Sequence, residues 1–316
     1  MGLANKLYTR IALISPFFEV LLRRLYWTNQ QRFKQYNPNK SAKANNVTCW
    51  VKFDRVVKWI KEQGITKGDL LIVHSSYAAL ECTGISPEAV VEELLSIVGP
   101  TGTLCMPVIR KFKGSPNPEE LLTKDVSDLV CTYDVENTKI TSGLLPYFLM
   151  KKPGSEVSLF PLNPMCAVGP LAKEMMEHNL DGDYPSPHGK NSSWKFCLDN
   201  NAKVLFLGTD LEHHNTMTHV AEEAFDGWYW PDDEWYRVRK FNIIDRAGNK
   251  QYKEVYERKP KWGMLHYAEI NVNHDLKKDG IVKTDLIDGV IPMGYEDANT
   301  FVNYLRSKNK KGYPYF

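Results

Sequence analysis

Two short stretches carry residue types able to do chemistry. The first is Val73-His74-Ser75-Ser76, at the end of the apolar run Asp69 to His74. Two hydroxyls and an imidazole in a strand-to-helix turn offer donors suited to a phosphate or a carbonyl oxygen. An ordinary polar turn in which a serine caps a helix fits the same residues, and spacing alone favours it. The second is the run Thr209 to Glu223 (TDLEHHNTMTHVAEE). Asn215 or Thr216 can cap a helix that continues through Ala224, and Thr216, His219 and Glu222 then share one face at intervals of three. A carboxylate one turn from an imidazole orients the ring and stabilises the imidazolium, so His219 is suited to accept a proton near neutral pH. Two other readings stand beside this one. The polar face of the helix could simply be solvated. His213, His214, His219 and Glu222 could also hold a metal ion. Their spacing matches neither H-E-x-x-H nor the Glu-x-x-His order of di-iron bundles, and no second cluster completes a shell, so no metal is expected. Cys82, close to the His74 loop, is a weak nucleophile candidate because nothing points to a lowered thiol pKa.

These groups need elements to hold them. Lys52 to Gln63 reads as a helix, with Phe53, Val56, Val57 and Ile60 at helical spacing and Gly64 as its stop. Asp69 to His74 has the unbroken apolar character of a strand buried on both faces. Ser86-Pro87-Glu88 starts a helix that runs to Ile97, and Gly99-Pro100-Thr101-Gly102 turns into a strand over Thr103 to Pro107. After a polar insert at 112–130, Ser142 to Met150 and Leu171 to His178 read as helices and Lys203 to Gly208 as a buried strand. Trp235 to Lys259 alternates and turns at Arg246-Ala247-Gly248-Asn249, an antiparallel hairpin. Residues 297–308 form a closing helix. The rhythm is that of one α/β domain with a largely parallel sheet flanked by helices, plus an added antiparallel hairpin.

The 316 residues carry 40 basic and 38 acidic side chains, a formal charge of +2, so no basic footprint for nucleic acid is present. Apolar residues at 43% and charged residues at 25% are the mix of a globular chain with a core. None of the six cysteines falls in a C-x-x-C pair, which fits a reducing, cytoplasmic setting rather than a disulfide framework. Ile11 to Leu22 is apolar but about a dozen residues long, short of the roughly twenty a membrane span needs. Residues 1–48 therefore form a helical extension and linker, the polar linker at 36–48, ahead of a domain at 49–316. Residues 1–35 suit a helix packed on the body, an oligomer contact or a membrane-surface contact.

Taken in order, these segments resemble the aminoglycoside 3-N-acetyltransferase family over roughly residues 50 to 306. Gly68-Asp69-Leu70 through His74-Ser75-Ser76 is similar to its strand and V-H-S-S loop. Val98 to Leu104 with Met106-Pro107 resembles its V-G-x-x-G-T-L-x-M-P segment, and Tyr133-Asp134, Thr138 and Ser142-Gly143-Leu144-Leu145 follow its next block. Asn215-Thr216-x-x-His219-x-x-Glu222 resembles its N-T-x-x-H-x-x-E helix. The resemblance implies a central mixed sheet, acetyl-CoA as donor and direct transfer to an amine. It implies His219 as general base, Glu222 orienting it and Thr216 beside the thioester. It also implies that His74, Ser75, Ser76, Ser142, Gly143 and Leu144 touch the cofactor, and Thr103 is assigned with them. Tyr147, Asp210 and Glu223 are assigned to the acceptor. Where the family has Glu and Arg after the G-x-L turn, Tyr147 and Leu149 stand here, and its R-S-x-H-P is replaced by Val157-Ser158-Leu159-Phe160-Pro161. A polycation needs acidic walls, so an amino sugar, nucleotide-linked and destined for a surface polysaccharide, is the expected acceptor. An aminoglycoside is the alternative, and a CoA-binding or scaffold relative without catalysis is the alternative outside enzymology.

Overall fold

A computed structural model describes residues 3–29, 50–117, 120–211, 215–230, 234–309 and 312–315; the expected linker at 36–48 and the residues His213 and His214 lie outside them. In chain order the elements are α1 (Leu3–Ala12), α2 (Pro16–Thr28), α3 (Phe53–Glu62), β1 (Leu70–Ser75), α4 (Pro87–Val98), β2 (Thr103–Pro107), β3 (Val130–Asp134) and α5 (Leu144–Met150). There follow β4 (Glu156–Val157), β5 (Met165–Val168), α6 (Ala172–Glu177), α7 (Ser193–Asp199), β6 (Lys203–Leu207) and α8 (Met217–Glu223). The chain closes with β7 (Tyr236–Ile244), β8 (Lys250–Arg258), α9 (Glu269–Lys278), β9 (Val282–Ile287), β10 (Ile291–Asp297) and α10 (Ala298–Lys308).

Among the described residues the main sheet has the order β4-β5-β2-β1-β6-β10-β9. The parallel pairings are at its centre, where β1 lies between β2 and β6. Strands β5 and β10 flank this trio antiparallel. Residues alternate sides along β1: Leu71 and Val73 enter one apolar cluster with α3, α4 and α5, while Leu70 and Ile72 enter the other with α7, α8 and α10. A strand covered on both faces must be apolar at every position, which is why these strands read as unbroken hydrophobic runs. Local signals hold at the helix ends: Ser86 Oγ accepts from Ala89 N–H at 3.2 Å and Gly64 takes φ +82° after α3. Helix α5 begins later than its sequence suggests, at Leu144, because Gly143 sits at φ +105° and breaks the helical backbone.

The expected hairpin is β7–β8, and it belongs to a second sheet of order β3-β7-β8 in which β3 runs parallel to β7. Strand β3 emerges from the end of the polar insert. It alternates, burying Cys131 and Tyr133 while Val130 and Thr132 face out, so its few residues carry little hydrophobic signal.

Helices α1 and α2 form a hairpin held to α9 by polar contacts. Glu19, fully buried, accepts from the Ile270 N–H at 2.7 Å and from the Asn271 N–H and amide at 3.0 and 2.8 Å. Arg23 pairs with Glu269 at 2.7 Å. The outer side of this hairpin exposes Leu7, Ile14, Phe17, Phe18, Leu21 and Leu25. Among the described residues no helix is long and apolar enough to cross a membrane. Cys82, Cys105, Cys131, Cys166 and Cys197 are buried, unbridged thiols.

Candidate active site

Strands β1 and β6 end side by side, and the chain leaving each opens a cavity of about 740 Å³. Its lining includes His74 and Ser75 at the end of β1 with Ser76 and Tyr77 beyond it, Pro107 at the end of β2 with Ile109 beyond it, Thr209 after β6, and Ser142, Gly143 and Leu144 at the start of α5. Carboxyl ends of adjacent parallel strands are where α/β proteins hold ligands, because the loops diverge there and leave a crevice. The His74 ring is buried, stacked on Phe206 at 5.1 Å and beside Trp194 at 5.9 Å. Ser142 Oγ donates to the Pro107 carbonyl at 2.8 Å and accepts from the Ile109 N–H at 3.1 Å, which ties the β2 exit to the Gly143 turn.

Helix α8 closes another side. Asn215 caps it, Oδ1 accepting from the Met217 N–H at 3.2 Å, while its amide donates to Glu296 Oε2 at 2.8 Å. Burial pushes the Glu296 carboxyl well above the usual carboxylate range, opposed only in part by that amide. Thr216 and His219 line the cavity. His219 Nδ1 lies 3.0 Å from Glu222 Oε2, with the histidine side chain 26% exposed and the glutamate 0%. A carboxylate only accepts, so Nδ1 carries the proton and Nε2 is left as the basic nitrogen. Arg258 stands 3.3 Å from that Nε2 and 3.4 Å from Glu222. Tyr315 donates to Glu222 Oε1 and accepts from Arg258 at 2.8 Å.

Burial lowers the His219 pKa, the Arg258 charge lowers it further, and Glu222 opposes both without reversing them. Burial alone would raise Glu222, but Arg258, His219 and the Tyr315 hydroxyl hold it below the usual carboxylate range. The outcome is a neutral imidazole backed by an ionised carboxylate, the charge states a general base requires. A second cavity, about 190 Å³, lies on the other side of Asn215 and His219 and is lined by Arg23, Arg258, Tyr267, Glu269 and Tyr315 among others.

The structure thus brings together His74, Ser75, Ser76, Ser142, Gly143, Leu144, Thr216 and His219, with Glu222 behind His219. Four expected positions stand elsewhere. Thr103, expected at the cofactor, begins β2 at the opposite end of the parallel strands, and its hydroxyl accepts from the Leu171 N–H at 3.1 Å, away from the cavity. Tyr147 lies on the exposed side of α5 against Phe148, away from Leu145 and Leu149, which face the core, and it is not among the residues lining the cavity. Glu223 is turned inward to His188 instead of toward a ligand. Asp210 is exposed between Thr209, which lines the larger cavity, and Leu211, which lines the smaller. Phe160 is core. Asn163, His188, Arg258 and Tyr315 escaped the sequence reading, because each reaches the site from a segment distant in the chain and none carries a local motif.

Residues 72–294 match the family profile described as aminoglycoside 3-N-acetyltransferase. Aminoglycoside N(3)-acetyltransferase III of Acinetobacter baumannii is 32% identical over 209 residues, covering 64% of this chain and 69% of that protein. Aminoglycoside N(3)-acetyltransferase IX of Micromonospora chalcea is 28% identical over 181 residues, covering 54% and 62%. Among solved structures, "AAC-IIIb binary with CoASH" superposes with a TM-score of 0.61 at 19% identity, covering 82% of this chain and 96% of that one. "AAC-VIa bound to Sisomicin" does so with a TM-score of 0.60 at 19% identity, covering 83% and 99%. At such identities the structural likeness is one of fold.

Proposed function

The chain belongs to the aminoglycoside 3-N-acetyltransferase family, and from that premise we propose that it transfers the acetyl group of acetyl-CoA to an amine of an aminoglycoside. The observation that carries the reading is His219: a Glu222-backed imidazole, its pKa lowered by burial and by Arg258, that lines a cavity at the carboxyl ends of β1 and β6. The cavity suits the cofactor's chemistry. The hydroxyls of Ser75, Ser76, Thr141 and Thr209 can meet the amides of a pantetheine arm, and Leu144, Pro107 and Ile109 its methylenes. Acetyl-CoA supplies an activated acetyl thioester there. A proton must leave the acceptor's ammonium before its nitrogen can form the new amide bond, in exchange for which the thioester C–S bond would break and CoA would leave as its thiol with the nitrogen's second proton. His219 Nε2 receives the first proton, Glu222 stabilises the imidazolium so formed, and Arg258 must yield its hold on Nε2 as the acceptor enters. Positioned base catalysis of this kind contributes roughly 10²–10⁴-fold.

The relatives support an aminoglycoside over a nucleotide-linked amino sugar, the shift from the sequence expectation. A second reading, an amino sugar with few positive charges, is favoured by one feature. Among the described residues lining the larger cavity, Glu81 is the one carboxylate, where a polycation calls for several. CoA release by the purified protein with sisomicin, gentamicin, free amino sugars and amino-sugar nucleotides decides between them. Turnover with the first two, lost in His219→Ala, supports the aminoglycoside reading. Turnover confined to the sugars replaces it, and neither turnover nor acetyl-CoA binding rejects the activity.

A further inference from the structure

Glu222 and Glu223 are consecutive on α8, and each holds a histidine. Glu223 Oε1 lies 3.1 Å from His188 Nδ1, the two side chains 0% and 3% exposed. The His188 ring is 5.0 Å from that of His219. Its other nitrogen, Nε2, lies 3.1 Å from the Asn163 side-chain amide nitrogen. Asn163 lines the larger cavity with its backbone at φ +49°, and its carbonyl is held by the Trp194 indole N–H at 2.9 Å. Proton transfer by His219 makes no use of this second chain of contacts.

We propose that Glu223 and His188 are positioning residues for Asn163, fixing its amide so that Oδ1 faces the cavity and accepts a hydrogen bond from the acceptor's ammonium or hydroxyl. The inference rests on the acetyltransferase reading and adds a specificity residue to it. The direction follows from which atoms meet. The Asn163 amide nitrogen, which only donates, lies against His188 Nε2, so Nε2 accepts, and the ring proton sits on Nδ1 toward the Glu223 carboxylate, which only accepts. The remaining Asn163 atom, Oδ1, has no hydrogen-bond partner among the described residues and belongs to a side chain on the cavity wall. Without His188 the amide is free to rotate and to present its NH₂ to an ammonium, a clash of donors. The second Glu223 oxygen is buried with no partner among the described residues, so His188 is the group the carboxylate holds. In a cavity whose described lining offers one carboxylate, a fixed neutral acceptor is a means of selecting an amine without a field strong enough to hold any cation. Sites built to bond a polar substrate group discriminate sharply because the mismatched analogue leaves a buried group unpaired.

Two measurements test this. Nitrogen NMR of the histidine rings at pH 8 is expected to show His188 neutral with the proton on Nδ1; an Nε2–H ring or a doubly protonated one overturns the proposal. Steady-state kinetics with sisomicin and glucosamine are expected to show Asn163→Leu and His188→Phe each raising the acceptor KM about tenfold, one hydrogen bond's worth, with the acetyl-CoA KM unmoved. Adding Asn163→Asp to His188→Phe should recover most of that loss, since either carboxylate oxygen can accept and rotation no longer matters. A purely packing role for His188 predicts no such recovery. An unchanged acceptor KM in Asn163→Leu, or no recovery in the double variant, overturns the proposal. If the parent acetylates neither probe while the NMR result stands, the aminoglycoside reading is what failed, and the positioning of Asn163 survives it.

Discussion

The two cavities that meet at His219 are built from different materials. The larger is walled by hydroxyls, backbone and the Asn163 amide, with Glu81 its one carboxylate among the described lining residues. The smaller is lined by Arg23, Arg258 and Glu269, and each of these charges already has a partner: Arg23 with Glu269, Arg258 with Glu222. The difference teaches a division of labour. The larger cavity is kept nearly neutral, and the charges that set the protonation of His219 are held behind it, where burial makes them act more strongly than in water.

Substitutions on the two sides should therefore fail in different ways. The largest effect on turnover is expected from His219→Ala, a fall in kcat of roughly 10²–10⁴, with circular dichroism and melting temperature close to the parent because the ring is partly open to the cavity. A matching loss of structure would mean that His219 belongs to the packed side of the boundary. Glu222→Ala should lose both activity and stability. It strands Arg258 and the Tyr315 hydroxyl in the interior, and breaking a buried pair by removing one partner costs about 3–5 kcal/mol; a thermal melt within a degree of the parent would contradict the charged-interior assignment.

Arg258→Met sharpens the comparison through pH. The guanidinium is one of the groups that lower the His219 pKa, second to burial, so its removal lets that pKa rise. The base works only when neutral, so the acid limb of kcat/KM should move to higher pH; a limb that stays put or moves down would break the link between the two cavities. The smallest effect on chemistry is expected from Glu19→Leu. Three donors on Ile270 and Asn271 lose their acceptor, which costs about 3 kcal/mol in total at roughly 1 kcal/mol each. The melting temperature should fall by several degrees while kcat/KM stays within about twofold. A large kinetic loss would show that the amino-terminal hairpin shapes the charged cavity more directly than its Arg23 contact implies.

Much of this was legible in the chain. Strands β1, β2 and β6 announce themselves because burial on both faces requires an unbroken apolar run, and α4 because Ser86-Pro87-Glu88 satisfies its own first turn. The pairing of His219 with Glu222 follows from helical pitch. The misplaced positions share a cause. Thr103 belongs to a motif shared with the family, yet a strand of five residues separates its two ends widely, and the motif's threonine serves the end away from the cavity. Glu223 belongs to the same polar run as His219 and is expected at the acceptor, but successive helical positions point about 100° apart, and that turn carries it away from the cavity to His188.

What the sequence by itself determined is local: which segments form helices and strands, where they start, and that an imidazole and a carboxylate meet on one face of α8. Those are consequences of periodicity and capping, which act over a few residues. Only the tertiary structure decided that Arg258 and Tyr315 would flank that pair, that Asn163 would reach the cavity through His188, and that the acidic Glu19 would be sealed beneath α9. Such contacts join residues tens to hundreds of positions apart. They depend on how the sheets twist and which helices cover them, and no local spacing encodes that.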